Sequence, residues 1–115
     1  MDTTKLVLDV LKDALSVPVS TDMPKNREER YILVDLSGDA STPFLLQPRY
    51  TLTCWGASDP DAKGIALSAV EALQEAAEDH PYLSACTLET LSREEWSRNG
   101  HSRYLAFVDL VINTE

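Results

Sequence analysis

Apolar residues recur along this chain with two alternating periods. Near the start, Leu6, Val10 and Ala14 fall on one i, i+4 row, and Val7, Leu11 and Leu15 fall on the next. Lys5, Asp9, Lys12 and Asp13 take the remaining face, so the spacing predicts an amphipathic helix over Thr3–Ser16, capped by Asp2 or Thr3. Val17-Pro18 ends it, because proline biases the preceding residue away from helical angles. Val17–Thr21 then reads as a short edge strand, since Pro18 has no N–H for a central ladder. After a charged turn at 23–30, Tyr31–Leu36 is rich in β-formers and nearly continuous in its apolar character. Both its faces are expected to be at least partly covered, and 37–42 is expected to be a loop tip.

From Pro48 to Trp55 the period is two, with Tyr50, Leu52 and Cys54 opposite Arg49, Thr51, Thr53 and Trp55. Phe44-Leu45-Leu46 is either the first half of this strand, bent at Pro48, or an exposed apolar tip. The helical period returns at Ile65, Ala66, Ala69, Val70, Leu73, Ala76 and Ala77. Asp59 as cap, Pro60 at the first helical position and Asp61 in the first turn start this helix, and His80-Pro81 stops it. Its alanine-rich face permits close approach to a sheet. Ser84–Leu91 and Arg103–Ile112 alternate as two further strands around Asn99-Gly100, a strong turn signal. Tyr104, Ala106, Val108, Leu110 and Ile112 share one face of the last strand; Leu105, Phe107 and Val111 share the other. The order is α-β-β-β-α-β-β. The expected fold is α+β: one domain over 1–115, with two helices on one face of a mostly antiparallel sheet and a long C-terminal hairpin.

Composition narrows the function classes. With 115 residues, 43% hydrophobic and 25% charged, the chain can bury a core without metal or disulfide staples. No apolar run approaches the roughly 20 residues of a membrane span, and the N-terminus lacks a signal-peptide pattern, so cytosolic synthesis is expected. The net charge of −9 argues against tight nucleic-acid binding. Cys54 and Cys86 lack metal-ligand spacing and read as reduced, buried small residues, with a disulfide as the alternative.

Catalytic constellations are not evident. The four glycines form no phosphate loop, nothing resembles a nucleophile elbow, and His80 and His101 sit in turn settings. No enzymatic activity, cofactor or metal is expected. Glu71, Glu75, Glu78 and Asp79 read as the solvated acidic surface of the second helix; a divalent-cation site at Glu71, Glu75 and Glu78, which share a helix face, is the alternative reading. Two features look like contact surfaces. One is the charged hairpin tip, where Arg93, Glu94 and Arg98 surround Trp96, because Trp and Arg dominate interface energetics. The other is Phe44-Leu45-Leu46. Segment 59–79 has six acids against Lys63 alone, while 25–30 and 92–103 each carry three cations. Such a domain can associate head to tail, tip against helix face, and such contacts close into rings when the rotation allows.

The pattern resembles the small tail terminator, or tail completion, proteins of long-tailed phages and prophages. The resemblance rests on the N-terminal helix Lys5-Leu6-Val7 to Leu15 running into Val17-Pro18-Val19-Ser20-Thr21. It rests also on the strand-into-helix segment from Pro48-Arg49-Tyr50 to Ala57-Ser58-Asp59, and on the final strand Arg103–Val111 after a polar arm. It implies a ring, typically a hexamer, that caps the tail tube, stops its polymerisation and offers a joining surface to the head. The implied partners are further copies of the chain, the tail-tube protein and a head-completion or neck protein, in the virion and without a membrane. A head–tail connector or an unrelated cytosolic binding module are the alternative readings.

Overall fold

The computed structural model describes residues 2–22, 30–43, 45–95 and 102–113. The turn at 23–29, Phe44, Trp96, Arg98, Asn99-Gly100 and His101 lie outside the described residues. The elements are α1 (Thr3–Ala14), β1 (Val19–Ser20), β2 (Tyr31–Asp39), β3 (Pro48–Trp55), α2 (Asp59–Asp79), β4 (Leu83–Glu95) and β5 (Ser102–Ile112). The five strands form one sheet in the order β1-β2-β3-β5-β4. β1 pairs with β2 in parallel, and every other pair is antiparallel. The architecture is α+β, in the predicted element order, and β4 and β5 pair as the C-terminal hairpin.

Each helix start follows from a capping side chain. Asp2 Oδ1 accepts the Lys5 N–H at 3.2 Å, which settles the cap of α1 in favour of Asp2. Leu15 is already extended, so α1 stops two residues earlier than its apolar rows suggest. In α2 the cap is Ser58, whose Oγ accepts the Asp61 N–H at 3.3 Å; Asp59 is the first helical residue rather than the cap. Asp59 and Asp61 still sit in the first turn, where carboxylates oppose the helix dipole favourably.

Register decides which face each strand residue occupies. Ile32 and Val34 lie beside Cys54 and Leu52, which lie beside Tyr104 and Ala106. With Tyr50, Val108, Leu110 and Ile112 they form the sheet side of the core. α1 contributes Leu6, Val7 and Leu11, and α2 contributes Ile65, Ala66, Ala69, Val70 and Leu73. α1 covers the β1–β2 end and touches α2; α2 covers β3, β5 and β4. Its alanines are what let a 21-residue helix lie close on the sheet.

Strand boundaries differ from the sequence pattern at several points. β2 continues through Ser37–Asp39, where a loop tip was expected, because an irregularity between Leu36 and Gly38 lets Gly38 pair with Arg49 and Asp39 with Pro48. β4 runs on to Glu95, so Arg93 and Glu94 belong to a paired strand and not to a turn. A bulge between Leu88 and Thr90 also turns Leu91 to the core side with Cys86 and Leu88, opposite to strict alternation. Finally, Leu46 pairs with Ile112 in the register that β3 keeps with β5. Of the two readings of Leu45-Leu46, an early half of the third strand fits Leu46, with the ladder interrupted at Pro48, which lacks an N–H.

Candidate interaction surfaces

Three surfaces gather the residues singled out above. The first is the end of the hairpin beside the start of α2. Arg93 reaches across from β4, and its Nε donates to Asp59 Oδ2 at 2.9 Å. Arg103 on β5 donates to Glu94 Oε1 of the neighbouring strand and lies 5.6 Å from the centroid of the Trp55 ring. Trp55 is buried and tilts against Tyr31 at 6.3 Å. Arg30 makes a two-pronged contact to Asp61, at 3.1 and 3.2 Å. Here cation-rich and acid-rich segments that are far apart in sequence neutralise each other within one molecule. Arg93 and Glu94, expected in a free tip, are tied down by Asp59 and Arg103. These exposed pairs add little stability but fix where the base of the hairpin sits relative to α2.

The second surface is the sheet face that carries no helix. Thr51 and Thr53 run down its centre, flanked by Leu33 on β2 and by Leu105 and Phe107 on β5. Those three apolar side chains are half-buried and shield the two threonines, which are only 8% exposed. At the far end Arg49 grips Asp109 through both carboxylate oxygens, at 2.7 and 3.1 Å. The Arg49 guanidinium holds the Asp109 carboxyl below its usual range, and Asp109 in turn raises the Arg49 pKa. The hydrogen bond and the negative charge of Asp109 push the Glu89 carboxyl upward. Sequence spacing gives no sign of this cluster: 60 residues separate Arg49 from Asp109, and only the β3–β5 register brings them together.

The third surface is the outer side of the helical layer. Glu71, Glu75, Glu78 and Asp79 all lie on the solvent side of α2, as expected of an acidic helix face. Their neighbours divide them. Glu75 and Asp79 line a groove between α1 and α2 together with Asp13, whereas Glu71 and Glu78 do not. No three His, Cys, Asp or Glu residues converge as a metal site among the described residues.

Leu45 and Leu46 are half-buried and held by backbone bonds, not displayed at a tip. Thr42 N–H donates to the Leu45 carbonyl at 2.8 Å, and Leu46 exchanges bonds with Ile112 at 3.2 and 2.9 Å. The cysteines are free. Cys54 lies beside Tyr104 and Cys86 beside Leu110, six residues along β5, or about 20 Å. A disulfide needs Cα atoms within about 7 Å. Burial pushes the Cys54 thiol up to about 12 and the Cys86 thiol up to about 11, so neither is an activated nucleophile. No helix of the described residues is long and apolar enough to cross a membrane.

No protein-family model matches this sequence, and no curated protein matches it.

Proposed function

We propose that this chain is a structural assembly protein of a long-tailed phage or prophage: a tail terminator that forms a ring on the end of the tail tube, stops its growth and presents the surface to which the head joins. One observation carries the reading. The segments that resemble tail terminators are contiguous in space: β3 pairs along its length with β5 and leads through Gly56–Ser58 into α2, while α1 packs against α2. A resemblance scattered over the sequence thus corresponds to one continuous block of structure.

The surfaces suit the role. A sheet face on which Leu33, Leu105 and Phe107 shield two central threonines, with charged pairs at its margins, has the anatomy of a protein contact, in which a largely apolar patch is surrounded by a polar rim. The acids of α2 give a second, chemically different surface. Two unlike surfaces on one subunit are what a ring of identical copies requires, because each copy must offer one to each neighbour. The protein acts by binding and by geometry, without catalysis or a cofactor, and its place is in the virion tail.

The test is a tube-termination assay with the tail-tube protein of a long-tailed phage or prophage that encodes this chain. Added to polymerising tubes, the protein should arrest growth and leave a ring-shaped density on one end in electron micrographs. Tubes that grow to the same length with bare ends would overturn the proposal. Binding to isolated head necks but not to tubes would assign the chain to the connector class instead.

A further inference from the structure

We infer that the groove between α1 and α2 is the acceptor for the β4–β5 connection of a second copy of this chain, with Trp96 as the anchor and Arg98 as its charged partner. This rests on the proposed ring-forming role and names the contact from which the ring would be built.

The groove has a volume of about 520 Å³, within the range of sites that bury a compact ligand. Its floor is Val10, Ala14, Ala72 and Ala76, its rim carries Asp13, Glu75 and Asp79, and His80 and Pro81 close the end beyond α2. The floor is short-chained because Ala72 and Ala76 leave little side chain between the two helices. An apolar floor with an acidic rim calls for a large apolar group that brings a cation with it. Among the described residues none of the three rim carboxylates takes part in an ion pair, while Arg30, Arg49, Arg93 and Arg103 all do. Segment 96–101 reads Trp-Ser-Arg-Asn-Gly-His, with Trp96, Arg98 and no carboxylate.

The occupant must come from another copy. Arg93 touches Asp59 at the start of α2, whereas Glu75 lies sixteen residues further along that helix, about 24 Å away at 1.5 Å per residue. β4 begins just after α2 ends and runs back past its start, so Glu95 is further still from the groove. A six-residue connection that must return to Ser102 extends at most about 12 Å. The strand ends that flank the donor and the acceptor groove therefore lie at opposite ends of α2, and a contact between donor and acceptor is heterologous. It repeats from copy to copy and either closes into a ring or continues as a filament.

Two broken halves test this contact, followed by sedimentation equilibrium up to about 1 mM, the weak limit of specific association. The acceptor variant is Glu75→Lys/Asp79→Lys and the donor variant is Trp96→Ala/Arg98→Ala. The wild-type chain should associate, and each variant alone should weaken association at least about thirtyfold, the loss typical of a buried hot spot. Mixed in equal amounts, the two should form a one-to-one heterodimer and nothing larger, since the mixture holds only one intact donor–acceptor pairing. Glu71→Lys/Glu78→Lys, on the same helix but off the groove, should associate like wild type. Circular dichroism should show all variants folded. The inference is overturned if the wild-type chain stays monomeric, if the mixture fails to dimerise, or if the off-groove variant loses as much as the acceptor variant. Head-to-tail association without arrest of tail tubes would leave this contact standing and sink only the proposed function.

Discussion

Tyr50 joins two layers from one buried position. Its ring lies on the core side of β3, and its hydroxyl bonds Thr3 Oγ1 at 2.7 Å and Thr4 Oγ1 at 2.8 Å at the start of α1. Tyr50→Phe keeps the ring and removes both bonds, stranding two partly buried threonine hydroxyls. Urea unfolding should show a loss of about 1–2 kcal/mol, in the range of a deleted hydrogen bond that leaves partners unsatisfied. The Arg49–Asp109–Glu89 cluster makes a prediction of direction with pH. Asp109 is held below its usual range, so its bond to Arg49 stabilises the fold above about pH 4 and is lost as pH falls through the lowered value. Glu89 is held above its usual range, so its contribution is favourable at low pH and is lost as pH rises through the raised value. Glu89→Gln should therefore raise the unfolding midpoint at pH 7, and the gain should vanish by about pH 3, where Glu89 itself is protonated and neutral. Thr87, opposite Asp109 on β4, does not titrate, so a gain that persisted at low pH would refute this account.

At the scale of elements, the tightest joint is the passage from β3 into α2. A Cβ on Gly56 would lie 2.5 Å from the Ala62 backbone nitrogen and 2.9 Å from its Cα, with the Asp61 carboxylate also within contact. The clash is with the backbone of the first helical turn, which cannot yield without moving α2 off the sheet. Gly56→Ala should cost about 1–3 kcal/mol, the usual penalty of overpacking, measurable as a lower urea midpoint with an unchanged slope. Gly64, on the outer side of the same helix, has nothing within 4 Å of an added methyl, so Gly64→Ala should stabilise by up to about 1 kcal/mol. This element level is also where the sequence pattern was most and least legible. The span of α2 and the strand Pro48–Trp55 could be read because long periodic runs and strong breakers mark both. The β4 bulge could not, since alternation assumes a constant period and one extra residue reverses Leu91. The extension of β2 over Ser37-Gly38-Asp39 overrode turn-forming residues through pairing with Pro48 and Arg49. Of the candidate surfaces, the acids of α2 were visible as a helical row. The separation of Glu75 and Asp79 from Glu71 and Glu78 depends on where α1 lies, and no local pattern encodes that.

At the scale of the whole molecule, charge decides how the chain meets nucleic acid. The ring proposed above would lie on the path of the genome, and the chain carries a net charge of −9. Duplex DNA presents one negative charge per roughly 1.7 Å of axis, and tight binding requires cations that release its counterions. The described arginines are poor sources of such cations, since Arg30, Arg49, Arg93 and Arg103 each face a carboxylate of the same chain. The proposed assembly would multiply the negative charge of the chain, so a ring would repel the duplex more strongly than a monomer. Screening shortens the range of this repulsion to about 8 Å at physiological salt without reversing its sign. A wall of this kind would let DNA pass without gripping its backbone. Fluorescence titration of labelled duplex at about 150 mM salt should accordingly show no saturable binding at micromolar protein, and the result should hold for the assembled form as for the monomer. Lowering the salt should not produce affinity either, because the longer-ranged field of a chain with a net charge of −9 repels the duplex. Micromolar binding that strengthens as salt is removed would mean that cations are clustered on one face despite the acidic total, and would overturn the proposed terminator role in favour of a neck protein that handles DNA.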